Sequence, residues 1–195
     1  MVLKKHSYED ILINNKVWAN EIKKQFPDYF KELSEGQSPS FLYIGCSDSR
    51  LPLSIFTQTT PGEIFVHRNI ANQAKEKDLN FNSVLEYAVF TLKVNYIIVA
   101  GHYDCGGVKA AFYGKAKGKV KNWIKEIRKI YFKNRDLFKG LNEKEACDKL
   151  SELNVKEQIK KLHKNRIIKK AKKLELCPKI CGWIIDIYTG QIKEL

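Results

Sequence analysis

No stretch of this 195-residue chain approaches the apolar length needed to cross a bilayer, and its start, MVLKKHSYEDIL, lacks the apolar core and small-residue cleavage site of a secretory signal. A membrane-spanning or exported protein is therefore not expected, and the reading is a soluble, cytoplasmic one. Cysteine is scarce, five in all and unevenly placed. An odd number without an export signal argues against a disulfide framework and leaves reduced thiols as ligands, nucleophiles or core residues. Internal repeats and low-complexity linkers are missing, and the length suffices for one core, so a single domain over residues 1–195 is expected. Acidic residues are outnumbered, 22 against 35 Lys and Arg, for a net charge of +13. That sign attracts anionic partners such as nucleic acid. Here, however, the lysines of 115–139 and 156–173 alternate with apolar residues at helical spacing and read as solvated helix faces, so no nucleic-acid or membrane partner is expected.

The apolar pattern alternates between strand and helix. From Ser7 to about Phe26, residues Ile11, Leu12, Trp18, Ile22 and Phe26 suit a helix, with Ser7 and Asp10 as a capping pair and Pro27 as its stop. This is an N-terminal helical arm, taken as residues 1–30. Phe41–Ile44 and Ile64–Val66 read as strands covered on both faces, both central in a sheet. A helical stripe lies between Ser83 and Val94, and Tyr96–Val99 makes a third buried strand ending at Gly101. Gly106-Gly107 opens another helix, Trp123 to Phe138 mark a longer one, and Val155 to Leu174 outline one more. The tail reads as a strand from Lys179 to Asp186, a Thr-Gly turn and a short return strand. The strand, helix, strand rhythm implies an α/β fold with a mostly parallel central sheet flanked by helices.

Two segments carry chemistry, GCSDSR at 45–50 and GHYDCGG at 101–107. Cys46 leaves the end of the first strand and His102 that of the third, at the carboxyl edge where such sheets place their sites. His102 and Cys105, spaced H-x2-C in a Gly-rich turn, can aim an imidazole and a thiolate at one ion, with Cys46 approaching from the neighbouring loop. Such a set suits zinc and leaves a fourth position open for water. The plainer reading is that both cysteines are small buried hydrophobes and His102 a satisfied polar residue. Asp48 and Arg50 admit two readings as well, a carboxylate–guanidinium dyad working beside a metal or a loop-fixing ion pair. Three functions stay open on the residues alone: a metal-dependent hydrolytic enzyme, a non-catalytic zinc or anion-binding module, and thiol chemistry with His102 as base. Cys177 and Cys181, spaced C-x3-C, read as residues of a strand entering the core. Cys147 reads as a helix residue, and His6, His67 and His163 receive no role.

Taken together, GCSDSR, PGEIFVHRNIAN at 61–72, SVLEYAV at 83–89, GHYDCGGVKAA at 101–111, ELNVKEQ at 152–158 and GWIIDIYTGQI at 182–192 closely resemble the β-class carbonic anhydrases, in order and over most of the chain. The resemblance implies one zinc per chain held by Cys46, His102 and Cys105, with Asp48 and Arg50 as the catalytic dyad. It implies substrate-binding roles for Gln37, Phe65, Ile70, Tyr87 and the backbone amide of Gly106. Its fold is a parallel sheet, here of about four strands, extended by an antiparallel C-terminal strand. Its unit is a homodimer or homotetramer, with the arm wrapped on its partner and the site at the subunit boundary. A bicarbonate-regulated subset of the family has a Trp and a Tyr where this chain has Tyr43 and Ile185. Arg68 matches that pocket's arginine, but the other two departures argue against such regulation.

The expected reaction is reversible hydration of carbon dioxide to bicarbonate and a proton, by attack of zinc-bound hydroxide; hydrolysis of a close analogue such as carbonyl sulfide would use the same residues. Family members also suggest that Asp48 becomes a fourth ligand when Arg50 releases it. Two thiolates leave the zinc site with a formal charge near zero, so its water should be less acidic than in a three-histidine site. Activity is therefore expected to rise with pH above neutrality; a flat rate profile between about pH 6 and about pH 9 would contradict this charge argument.

Overall fold

A computed structural model of the chain describes residues 5–195 and divides it into two compact units, one ending at Gln37 and the other Ser38–Leu195. In the first, α1 (Tyr8–Gln25) begins with a capping box: Ser7 Oγ accepts from the Asp10 amide at 3.1 Å, and Asp10 Oδ2 from the Ser7 amide at 2.9 Å. A short α2 (Tyr29–Ser34) follows Pro27, and Trp18 meets Phe30 edge-on at 5.6 Å. None of the described α1 residues is buried, and Tyr8, Ile11, Leu12, Ile13, Val17 and Trp18 are exposed.

The second unit is a five-stranded sheet in the order β2-β1-β3-β4-β5. Its strands are β1 (Phe41–Cys46), β2 (Ile64–Asn69), β3 (Tyr96–His102), β4 (Lys179–Ile185) and β5 (Ile192–Glu194). The first four pair in parallel and β5 joins antiparallel, as the sequence and the resemblance led one to expect. The Ile64–Val66 segment, however, is not central: β2 lies at the sheet edge and Val66 is exposed. An apolar run does not reveal whether a second strand exists to pair with its outer side.

Alternate residues of the strands feed two apolar clusters. Tyr43, Ile98, Ala100 and Ile185 pack with Val108 of α5 (Gly106–Tyr113) and with Ile124, Ile127 and Ile130 of α6 (Gly118–Lys133). Leu42, Ile44, Ile97, Val99 and Ile184 pack with Phe81 and Leu85 of α4 (Leu79–Glu86) and Val155 and Leu162 of α7 (Glu143–Lys164). Between β1 and β2 lies a one-turn α3 (Leu53–Thr57).

Three helical expectations need correcting. The Val155–Leu174 pattern is two helices, because Asn165 leaves helical geometry (φ −62°, ψ 140°) and caps α8 (Arg166–Lys173), its side chain accepting from the Ile167 amide. Asparagine at a helix junction satisfies an amide that would otherwise be orphaned. The Ser83–Val94 stripe starts earlier, at Leu79, and turns π-helical over Tyr87–Thr91. The Trp123–Phe138 pattern ends as α-helix at Lys133 and finishes in a 3-10 turn, Arg135–Phe138.

Two glycines let α7 lie against the sheet. A Cβ at Gly101 would stand 2.6 Å from Val155 Cγ2, and one at Gly182 would stand 2.7 Å from Ile159 Cδ1 and 3.1 Å from Val155 Cγ1. Val155 has a stiff, branched side chain, whereas the Ile159 tip can rotate away. Gly101→Ala is therefore expected to cost about 1–3 kcal/mol and Gly182→Ala less, read as shifts in the urea midpoint with the slope unchanged.

Candidate metal centre

Parallel pairing of β1 with β3 places Gly45 opposite Ala100, so the strands carrying Cys46 and His102 end side by side at one edge of the sheet. Gly45 is required one step earlier, since a Cβ there would lie 2.1 Å from the Tyr43 ring folded over it. After His102 the chain turns through Tyr103 and Asp104, the latter left-handed at φ 59°, and α5 starts with Cys105 as its N-cap residue. The turn brings Cys105 Sγ to 3.9 Å from Cys46 Sγ. The ligand atoms of Cys46, His102 and Cys105 all lie within 4.8 Å of one another, and all three residues are buried.

Two features test whether this trio fits a metal. His102 Nδ1 lies 2.8 Å from the Tyr103 carbonyl, which can only accept, so Nδ1 carries the proton and Nε2 presents a lone pair. That Nε2 is buried without a hydrogen-bond partner. The sulfurs meet the second test, since two thiolates about 2.3 Å from a tetrahedral zinc stand about 3.8 Å apart. Backbone amides of Ala71 and Asp48 point at the Cys46 sulfur and those of Gly107 and Val108 at Cys105. The thiol pair gives up its first proton easily, because Cys105 donates to Cys46 and holds the Cys46 thiol low. It keeps the second tightly, the hydrogen bond to Cys46 and burial pushing Cys105 up. A divalent cation between the sulfurs removes that second penalty, so the residues fit zinc.

Asp48 and Arg50 lie beside the trio. Arg50 Nε donates to Asp48 Oδ1 at 3.0 Å and Nη2 to Oδ2 at 2.8 Å, a two-pronged pairing, and the Arg50 amide adds a third bond to Oδ1 at 3.0 Å. These bonds hold the Asp48 carboxyl well below the usual carboxylate range, and its Oδ2 sits 3.8 Å from His102 Nε2. From β2, Arg68 Nε donates to the Cys46 carbonyl at 2.8 Å and Nη2 to that of Asp48 at 2.9 Å, fixing the loop that carries both. Tyr43 and Ile185 are buried; the Tyr43 hydroxyl has no partner, and burial pushes its pKa up to about 12.

The other expected site residues divide. Gly106 is the first residue of α5, so its amide belongs to the first turn of that helix, and a Cβ there would meet nothing within 4 Å. Ile70 lies against Gly107, two residues past Cys105, since a Gly107 Cβ would stand 2.8 Å from its Cγ2. The Phe65 and Tyr87 rings meet at a tilt of 34° with centroids 5.7 Å apart, and Phe65 packs with Leu42 and Ile44, in the cluster that does not contain Cys46 and Cys105. Gln37 ends the N-terminal unit. Of the other cysteines, Cys147 is buried on α7, Cys181 lies on β4, and Cys177 is exposed ahead of that strand rather than in it.

Sequence reasoning missed three contributors. Ala71, left-handed at φ 59°, presents its amide to Cys46, while its carbonyl accepts from Gln73 Nε2 at 2.7 Å and Asn154 Nδ2 at 3.0 Å. The Tyr103 carbonyl, which sets the His102 tautomer, left no signal because any residue supplies it. Asp104 did leave one, an acidic residue inside the H-x2-C turn.

The carbonic anhydrase family model matches residues 41–192. A carbonic anhydrase of Emericella nidulans is 38% identical over 190 residues, 97% of this chain and 83% of that protein. Among solved structures, the Coccomyxa β-carbonic anhydrase bound to acetazolamide is 36% identical with a TM-score of 0.91, covering 98% of this chain and 87% of that one. A tetrameric β-carbonic anhydrase of Sordaria macrospora is also 36% identical, with a TM-score of 0.88 and 96% of each chain covered.

The dyad's effect on stability has a definite sign. Arg50 lowers the folded-state pKa of Asp48 below its unfolded value of about 3.9, so the stabilisation is complete above about pH 4 and lost as pH falls further. Arg50 is 46% exposed, which limits the contribution to about 1 kcal/mol or less. In urea unfolding, the gap between the parent protein and Asp48→Asn should be constant near neutrality and close below about pH 4. A gap that widens in acid would contradict this assignment.

Proposed function

The chain belongs to the β-class carbonic anhydrase family, and from that premise we propose that it catalyses the reversible hydration of carbon dioxide to bicarbonate and a proton. The observation that carries this reading is the buried, unpartnered Nε2 of His102 converging with two thiol sulfurs beside a carboxylate held ionised by a guanidinium. Cys46, His102 and Cys105 would hold one zinc. Bound there, zinc supplies a Lewis acid that lowers the pKa of a water in its open position. Among the described residues the metal-ligand group has three members, which favours an open, catalytic site over a closed structural one.

Each residue around the trio then has a task. Asp48 is ionised and can only accept, so it fixes the proton of an attacking O–H and leaves the oxygen lone pair facing carbon. Arg50 keeps Asp48 in that state, two of its nitrogens bonded to the carboxylate, and prevents it from capturing the released proton. The N-terminus of α5, beginning at Gly106, offers partial positive charge for the oxygen that becomes negative as bicarbonate forms. Carbon dioxide is apolar and needs little more than a small lined pocket, for which Phe65, Ile70 and Tyr87, with the Gln37 amide, are the proposed residues.

Phe65 packs in the cluster without Cys46 and Cys105, and its ring meets that of the exposed Tyr87, so we assign both to the pocket of a second copy and propose a homodimer or a homotetramer. Three observations support that assembly. The α1 helix carries exposed apolar residues along its length, the apolar β2 strand lies at the sheet edge, and the similar Sordaria structure is a tetramer.

Stopped-flow carbon dioxide hydration with a pH indicator tests the activity. The purified protein should hold one zinc per chain and turn over rapidly, and Asp48→Ala should lose about a hundredfold or more in kcat/KM with its zinc retained. A fully zinc-loaded protein without turnover would refute the reading. In sedimentation the protein should run as a dimer or a multiple of it; an active monomer would refute the shared pocket.

A further inference from the structure

Arg50 is held from two sides. Its Nε and Nη2 engage Asp48, two residues away on the same loop, while Nη1 donates to Asp104 Oδ2 at 3.0 Å and Nη2 also to the Asp104 carbonyl at 3.3 Å. Asp104 lies 54 residues further along the chain, in the turn between His102 and Cys105. A pair between neighbours on one loop moves with that loop. A bond from Arg50 to the other ligand-bearing turn fixes where the loop stands relative to His102 and Cys105. The second Asp104 oxygen is occupied by Lys109 on α5, so the charges run Lys109, Asp104, Arg50, Asp48, alternating in sign. The outer part of this row forms the wall of a cleft of about 1120 Å³ lined by Arg50, Asp104 and Lys109 together with Tyr103, Tyr113 and Tyr188.

We propose that Asp104 is a positioning residue for the hydration reaction: by gripping the outer side of the Arg50 guanidinium, it keeps the inner side on Asp48 and holds Asp48 in register with the metal-binding trio. This rests on the functional reading above for its catalytic consequence, but not for the tie itself. Side-chain exposures of 46% for Arg50 and 52% for Asp104 make the bond a weak contributor to overall stability. Its effect is on geometry, because a planar fork held at both sides cannot rotate without breaking bonds at one of them. Removing the carboxylate leaves Arg50 tied to the Asp104 turn only through the longer bond to the Asp104 carbonyl.

The backbone makes the test clean. Asp104 is left-handed at φ 59°, a conformation that Asn and Gly both tolerate, so Asp104→Asn and Asp104→Gly each remove the charge without straining the turn. The first readout is proton exchange at Arg50 Nε, followed by nitrogen-15 NMR on the zinc-loaded protein. Both variants should exchange about threefold to tenfold faster than the parent, and kcat/KM should fall by a similar factor, as fits loss of one partly exposed charge-assisted bond. Lys109→Met, which leaves both carboxylate oxygens to Arg50, should keep Arg50 protected. Unchanged exchange in the Asp104 variants would overturn the proposal. So would faster exchange with kcat/KM unchanged, or equal deprotection in Lys109→Met. If the parent protein itself showed no carbon dioxide turnover, the functional reading would fail, while the exchange measurement would still decide whether Asp104 holds Arg50.

Discussion

Two sulfurs and an imidazole nitrogen lie within 4.8 Å of one another, all buried, and in such a constellation two deprotonated thiols would need a cation to offset their charge. Much of the carboxyl edge of the sheet serves that constraint. Backbone amides from three segments, the loops after β1 and β2 and the start of α5, favour the thiolates, the Tyr103 carbonyl sets the histidine tautomer, and Arg68 pins the loop bearing Cys46 and Asp48 through its carbonyls. Most of these partners are main-chain groups, which are positioned by the fold and carry no side-chain entropy. The ligands are thereby held ready before any ion arrives.

Outside the buried trio the character of the interactions changes. Asp48 is largely enclosed, Arg50 about half exposed and Asp104 slightly more so. Charges so placed contribute little to folding but can fix the direction of a hydrogen bond, and direction is what an acceptor beside a nucleophile must supply. A gradient thus runs from a dry trio to a wet rim. It leaves the rim open to the 1120 Å³ cleft that Arg50, Asp104 and Lys109 line.

The same economy is visible in the scaffold. Gly101 and Gly182 sit on adjacent strands, in contact with the same stretch of α7, and their missing side chains let that helix approach the sheet. From that position α7 extends Asn154 to the Ala71 carbonyl, and Ala71 presents its amide to the Cys46 sulfur. Close packing of a helix and the surroundings of the Cys46 sulfur are thereby linked through one left-handed residue.

Much of this could be read from the chain alone. The strand and helix rhythm and the Ser7–Asp10 cap depend on short-range periodicity and spacing, which a linear sequence records directly, and family likeness singled out the Cys46, His102 and Cys105 trio that the fold brings together. The break at Asn165, the π-helical turn at Tyr87 and the edge position of β2 do not, because each is decided by what packs or pairs against the segment. Phe65 shows the difference most clearly: family likeness marks it as a pocket residue, yet the fold packs it against the cluster that lacks the cysteines, with the Tyr87 ring tilted against it. Likewise Asp104 is visible in sequence as an acid in a turn, but its bond to Arg50 exists only because parallel pairing of β1 and β3 brings two loops 54 residues apart to one edge. The sequence by itself determined which atoms can bind a metal; tertiary structure decided which of them share a site, because distance in space follows strand order rather than chain order.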